Sequence, residues 1–213
     1  MRVVALKKAL YHSEAMPKFF IVLEGPDGAG TSTQAKLLAS RLKAEGHDVL
    51  FTREPTDGQY GQKIREATQN NHSLSPEELQ KLFAQDRQEH VTKVIQPALD
   101  GDQIIVTDRY VPSSLIYGSA AGVSKDVIQE WNNAFPKPDL TIITLPPLDI
   151  CLVRVGERKA QDAFEQEEFQ CKVYAGYEQY IKEHPESIVI DTSKTPEENA
   201  EEVWVAVSAR IKA

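Results

Sequence analysis

Residues Phe19 to Leu23 (FFIVL) form an unbroken apolar run that stops at Gly25-Pro-Asp-Gly-Ala-Gly-Thr-Ser-Thr33. From Ser32 to Glu45 the pattern turns helical: Ala35, Leu38 and Leu42 share a face, and Gly46 is placed to close the helix. A strand that is apolar without alternation is buried on both faces, which requires a parallel sheet with helices on each side. A glycine-rich loop between such a strand and a helix lets backbone N–H groups and the positive end of the helix dipole converge on an anion. The spacing G-x-x-x-x-G followed by hydroxyl residues is that of a nucleotide phosphate-binding loop (P-loop). Gly25, Asp27, Gly28, Ala29, Gly30, Thr31, Ser32 and Thr33 are therefore the candidate ATP phosphate ligands, with Ser32 where such loops hold Mg²⁺. One position departs from the pattern: the lysine expected after the last glycine is Thr31.

Four more apolar runs follow, at Val49–Phe51, Ile104–Val106, Leu140–Leu145 and Ile188–Ile190. Helical stretches separate them, the clearest being Pro76–Leu99 and Glu165–Lys182, and Thr195-Pro196 announces a last helix. Alternating strands and helices predict a three-layer α/β P-loop NTPase fold with five parallel strands. In such folds ligands sit beyond the carboxyl ends of the strands, and Arg53-Glu54 and Asp108-Arg109 fall there. The 213 residues fit one domain. Residues 16–213 are read as that domain, and residues 1–15 as an N-terminal extension of unassigned role, with Met16 an alternative start.

Two further constellations carry chemistry. Asp108-Arg109-Tyr110 is followed by Ser113, Ser114 and Tyr117; an acidic group beside a phosphate loop suits hydrated Mg²⁺, and an arginine forks phosphate oxygens. In Leu82-Phe83-Ala84-Gln85-Asp86-Arg87, Phe83 and Arg87 share a helix face; taken alone this reads more readily as a core phenylalanine with a surface arginine than as a nucleobase site. Together FFIVLEGPDGAGTSTQ, FTREP, the Gly61 and IRE of YGQKIRE, LFAQDR, TDRYVPSSLIY, PDLTI and DAFEQE resemble the thymidylate kinase family, in its order, from about Phe19 to Tyr180.

That resemblance implies an ATP:dTMP phosphotransferase with Mg²⁺, cytoplasmic and homodimeric, with a mobile lid at about residues 155–166. It implies that Asp27 bonds the sugar 3′-hydroxyl, Phe83 stacks on thymine and Arg87 bonds its O4. Arg65 and Arg109 hold the acceptor phosphate, with Glu54 and Ser113 beside it, and Tyr117 packs under the deoxyribose. Ser32, Glu54 and Asp108 organise Mg²⁺. Arg154, Arg158 and Lys159, in or next to the lid, are candidates to replace the missing loop lysine. Two more departures are Ala163, where the family often has arginine, and Gly118, where it usually has glutamine. Two other readings stay open: a nucleotide-binding homologue without kinase activity, and a kinase for another deoxynucleoside monophosphate. The net charge of −8 and the lack of a basic stripe argue against nucleic-acid binding. No apolar run approaches the ~18 residues of a membrane span. The N-terminus lacks the pattern of a secretory signal. Cys151 and Cys171 have no metal-ligand spacing and are expected as free thiols.

Overall fold

The strand that precedes the glycine loop, β1 (Phe19–Glu24), is the middle of a five-stranded sheet in the order β2-β3-β1-β4-β5, with every pairing parallel. The others are β2 (Val49–Arg53), β3 (Ile104–Asp108), β4 (Leu140–Thr144) and β5 (Ile188–Ile190). All five expected strands are present. The computed structural model describes residues 18–69, 74–156 and 163–211; the expected N-terminal extension and Arg158 and Lys159 of the lid lie outside them.

Side-chain alternation along β1 sorts its residues between two helical layers. Ile21 and Leu23 pack, with Val106 and Ile142, against α1 (Thr31–Ala44) through Ala35, Leu38, Ala39 and Leu42. The last helix, Pro196–Ile211, joins this layer through Val203, Val207 and Ile211. Phe20 and Val22 face the opposite layer, where Val91, Ile95, Ala98 and Tyr110 cover them.

That opposite layer carries α2 (Gln59–Gln69), the long helix from Pro76 to Asp100, α5 (Val111–Ala120) and α6 (Lys125–Asn132). The long helix has three parts: α3 (Pro76–His90), a π-helical turn at Val91–Ile95, and α4 (Gln96–Asp100). In the turn, the Gln96 N–H reaches back five residues to the Val91 carbonyl. Pro97 follows at once; having no N–H, it leaves Lys93 without its normal partner, a common cause of such a widening. After β4 come α7 (Leu148–Gly156) and α8 (Ala163–Glu183), and Pro196–Ile211 is α9.

Helix starts follow local chemistry. Ser75 Oγ accepts from Glu78 N, and the Glu78 carboxylate accepts from Ser75 N, a reciprocal cap. Thr195 and Glu198 do the same at α9, the N-cap expected there. Both cysteines are free, and burial pushes the Cys151 thiol up to about 11. No helix among the described residues is long and apolar enough to cross a membrane.

The segment after β2 turns through a cis Glu54–Pro55 bond and runs against α2, where Gly61 meets it. A Cβ at Gly61 would collide with the Thr56 backbone. Gly61→Ala is expected to lower stability by about 1–3 kcal/mol in urea denaturation, the usual cost of forcing backbones apart. Unchanged stability would show that α2 is not held against this segment.

Candidate functional site

Parallel register places Asp108 opposite both Leu23 and Arg53, and Glu24 opposite Ile143, so the strand ends form one rim. The loop from Gly25 to Gly30 rises from that rim. Gly28 and Gly30 take φ of 83° and 81°, conformations that strain any side-chain-bearing residue. A Cβ at Gly28 would also strike the Cys151 backbone, because α7 lies directly against the loop.

The loop is fastened from beneath. Thr31 is buried, and its Oγ1 lies 2.8 Å from Thr144 Oγ1, which donates in turn to the Glu24 carbonyl at 3.1 Å. Thr192 donates to the Ala29 carbonyl at 2.6 Å. Thr31, at the lysine position, is thus a neutral strut turned into the protein. Ser32 and Thr33, next on α1, are exposed. Arg154 also belongs to the fastening: it donates to the Gly28 carbonyl at 3.2 Å and the Thr192 carbonyl at 3.1 Å. Its guanidinium thus braces the loop by backbone oxygens.

Arg109 stands on the other side of the loop. It sits at φ 70° directly after β3, a conformation rare outside glycine. Its guanidinium donates to Asp27 Oδ1 at 2.7 Å and Ser113 Oγ at 3.1 Å and lies 5.1 Å over the Tyr117 ring. Tyr117 donates to the same Asp27 oxygen at 3.0 Å, and Gln170 of α8 reaches Asp27 Oδ2 at 3.3 Å. Asp27, Arg109, Ser113 and Tyr117, all expected from the sequence, are brought together. Asp108 is buried with Oδ1 unpartnered. That orphan carboxylate oxygen, with the exposed Ser32 hydroxyl, is a donor set that suits a hard cation holding its own waters.

Glu24 organises this side and was not singled out in the sequence. It is fully buried and accepts from Tyr110 N at 2.8 Å, Ser113 N at 3.2 Å, Ser113 Oγ at 2.6 Å and Tyr177 Oη at 3.0 Å. The carboxylate thereby fixes the first turn of α5 and the backbone beside Arg109. Burial raises its pKa, against the opposing pull of Arg109 and these donors. An acid closing the apolar run FFIVLE was the one available signal.

The residues expected at the base and the metal form a buried cluster. Arg87 is neither exposed nor free: Nε and Nη2 hold Glu54 Oε2 at 2.8 and 2.7 Å, Nη2 also donates to Ser114 Oγ at 3.1 Å, and Nη1 donates to Asn132. Glu54 spends its other oxygen on His90 Nδ1 at 2.9 Å, while His90 Nε2 lies 2.6 Å from Thr52 Oγ1. Both Glu54 oxygens are thus engaged inside the protein, one on Arg87 and one on His90. His90, Asn132 and Ser114 complete the cluster. Phe83 is half-buried one turn before Arg87. Arg65 donates to the Thr56 carbonyl at 2.7 Å and pairs with Asp57 at 3.3 Å, where Arg53 also arrives at 2.9 Å.

Comparison with known proteins gives the family. The family model described as "Thymidylate kinase" matches residues 23–203. The "Probable thymidylate kinase" of Pyrococcus abyssi is 39% identical over 202 residues, 92% of this chain and 98% of its own. The thymidylate kinase of a Synechococcus species is 39% identical over 200 residues, 90% of this chain and 95% of its own. That of Desulfotalea psychrophila is 38% identical over 159 residues, 74% and 79% of the two chains.

Arg87→Ala leaves Glu54 buried without its cation and is expected to cost about 3–5 kcal/mol of stability, measured by chemical denaturation; a loss within experimental error would mean the cluster is not a structural unit. Glu24 gives a pH test. Its raised pKa means the folded chain keeps a proton that the unfolded chain has lost, so its contribution to stability falls as pH rises through that window. Stability of the wild type relative to Glu24→Gln should therefore decline as pH climbs above the ordinary carboxylate value of 4.5. A pH-independent difference between the two would contradict the buried-charge account.

Proposed function

The chain belongs to the thymidylate kinase family, and on that premise we propose that it transfers the terminal phosphoryl group of ATP to thymidine 5′-monophosphate, giving dTDP and ADP. The observation that carries this reading is Arg109, a cation fixed at the loop by Asp27 and Ser113 beside Tyr117. ATP phosphates lie on the amides from Gly25 to Thr33. The monophosphate lies at Arg109 and at Arg65, whose exposed tie through Asp57 to Arg53 is weak enough for a doubly charged anion to displace. The base enters between α3 and α5, with Phe83 at its face and Arg87 at its polar edge. Asp27 and Tyr117 take the sugar. The same reading has the chain act in the cytoplasm as a homodimer.

An acceptor phosphate oxygen forms the new bond to the γ-phosphorus as the bond to the β,γ-bridging oxygen breaks. The acceptor is already ionised near neutral pH, so the protein's work is positioning and neutralising charge. Asp108 and Ser32 are the residues that would hold Mg²⁺, which when bound supplies positive charge to the phosphates. Arg109, held by Asp27 from one side and Ser113 from the other, orients the attacking group.

The loop itself supplies no side-chain cation, because Thr31 faces Thr144. A cation delivered to such a transition state is worth ~10³–10⁵ in rate. Arg158 and Lys159 are the proposed replacements. The buried hydroxyl at Thr31 also favours a second reading, a nucleotide-binding homologue without kinase activity, and Gly118 favours a third, a different deoxynucleoside monophosphate as acceptor.

A coupled ADP-release assay with ATP and Mg²⁺ across deoxynucleoside monophosphates separates them. The expected result is turnover with dTMP, reduced at least ten-fold in Arg158→Ala or Lys159→Ala, roughly the loss of one charged hydrogen bond. Turnover that appears only in Thr31→Lys would establish the inactive homologue; turnover with another acceptor in preference to dTMP would establish the third reading.

A further inference from the structure

Gln80 lies on α3 one turn before Phe83 and Ala84 and two turns before Arg87, on the same face, so it looks toward α5. It is only 5% exposed, and its Oε1 is buried without a hydrogen-bond partner among the described residues. Its side chain occupies space that exists because residue 118 is glycine: a Cβ there would lie 2.9 Å from the Gln80 amide carbon, 3.0 Å from its Cγ and 2.5 Å from Ile128 Cδ1. Gly118 directly follows Tyr117, and Ser114, one turn earlier on α5, bonds Arg87. The Gln80 amide therefore sits along the same α3–α5 seam as Phe83 and Arg87.

An amide oxygen buried without a partner is costly, and the fold gains nothing visible from it. An apolar side chain of the same size would fill the space without that cost. The geometry points to Gln80 as a specificity-determining residue for the acceptor base, its Oε1 accepting from a ring N–H on the base's edge. This rests on the nucleotide-kinase reading above and deepens it. A 4-oxopyrimidine carries that ring N–H. Cytosine has a bare nitrogen there, which would set lone pair against lone pair. Arg87 then donates to the 4-oxo group while Gln80 accepts from the adjoining ring position, so two side chains of opposite polarity, from one helix, read one edge.

The test uses the full chain with Gln80→Leu and, as a second shape, Gln80→Met. Binding of dTMP, dUMP and dCMP is measured by calorimetry, which does not depend on turnover, alongside thermal unfolding. The expected result in both variants is about ten-fold weaker binding of dTMP and dUMP, the loss of one net hydrogen bond. Binding of dCMP is unchanged or improved, and the unfolding midpoint is level or higher. Unchanged dTMP affinity, an equal loss for all three nucleotides, or a lowered midpoint with discrimination intact would each overturn the assignment and leave Gln80 a packing residue. Failure of the reading beneath it looks different: the wild-type chain itself would then bind ATP but none of the three monophosphates.

Discussion

The ion pair between Arg87 and Glu54 governs the acceptor half of the molecule. Glu54 comes from the end of β2, Arg87 from α3, Ser114 from α5 and Asn132 from α6, and all meet at one guanidinium that is 1% exposed. A buried charge pair is rarely a net gain over an apolar substitute. What it does here is fix direction. The guanidinium plane is set by a carboxylate on one side and by a hydroxyl and an amide on the others, and it lies 5.1 Å over the Tyr110 ring. Helices α3, α5 and α6 cannot shift relative to one another without breaking a charged hydrogen bond. Whatever edge remains for a ligand is therefore presented in one orientation.

The donor half is organised on a different principle. Around the glycine loop the fastening bonds are neutral or run to backbone carbonyls: Thr31 to Thr144, Thr192 to Ala29, Arg154 to Gly28. They hold the loop's shape while adding no cation to its open side. In a loop with lysine, shape and charge come from the same turn of chain. Here the loop's shape is kept without that charge, and the proposed function draws the charge from Arg109 across the site and from the segment after α7.

The fold was largely legible in the sequence because a parallel interior strand is a simple signal. FFIVL, IIV and LTIITL are apolar without alternation, and even the three-residue β5 stands out between polar flanks. The sheet order was not legible, since β3 inserts between β1 and β2 by crossovers whose lengths say nothing of destination. For the site the division is similar. Asp27, Arg109, Ser113 and Tyr117 were recoverable because they cluster in two short segments at strand ends. The partners of Arg87 were not legible, because helical spacing reports a shared face and not what covers it; they lie 33 residues before it and 27 and 45 after. Glu54 pairs with Arg87 inside the protein, and Arg154, expected in or next to the lid, donates to carbonyls of Gly28 and Thr192.

Gln80 and Gly118 show a limit of position-by-position reading. In the sequence Gly118 is only a departure from the family's usual glutamine. Within the structure its missing Cβ leaves room for the Gln80 amide. The two residues are 38 positions apart and belong to different helices, so neither carries a signal of the other. On the assignment proposed above, an amide at the base edge comes from α3 and not from α5, and the facing position on α5 must then carry no side chain.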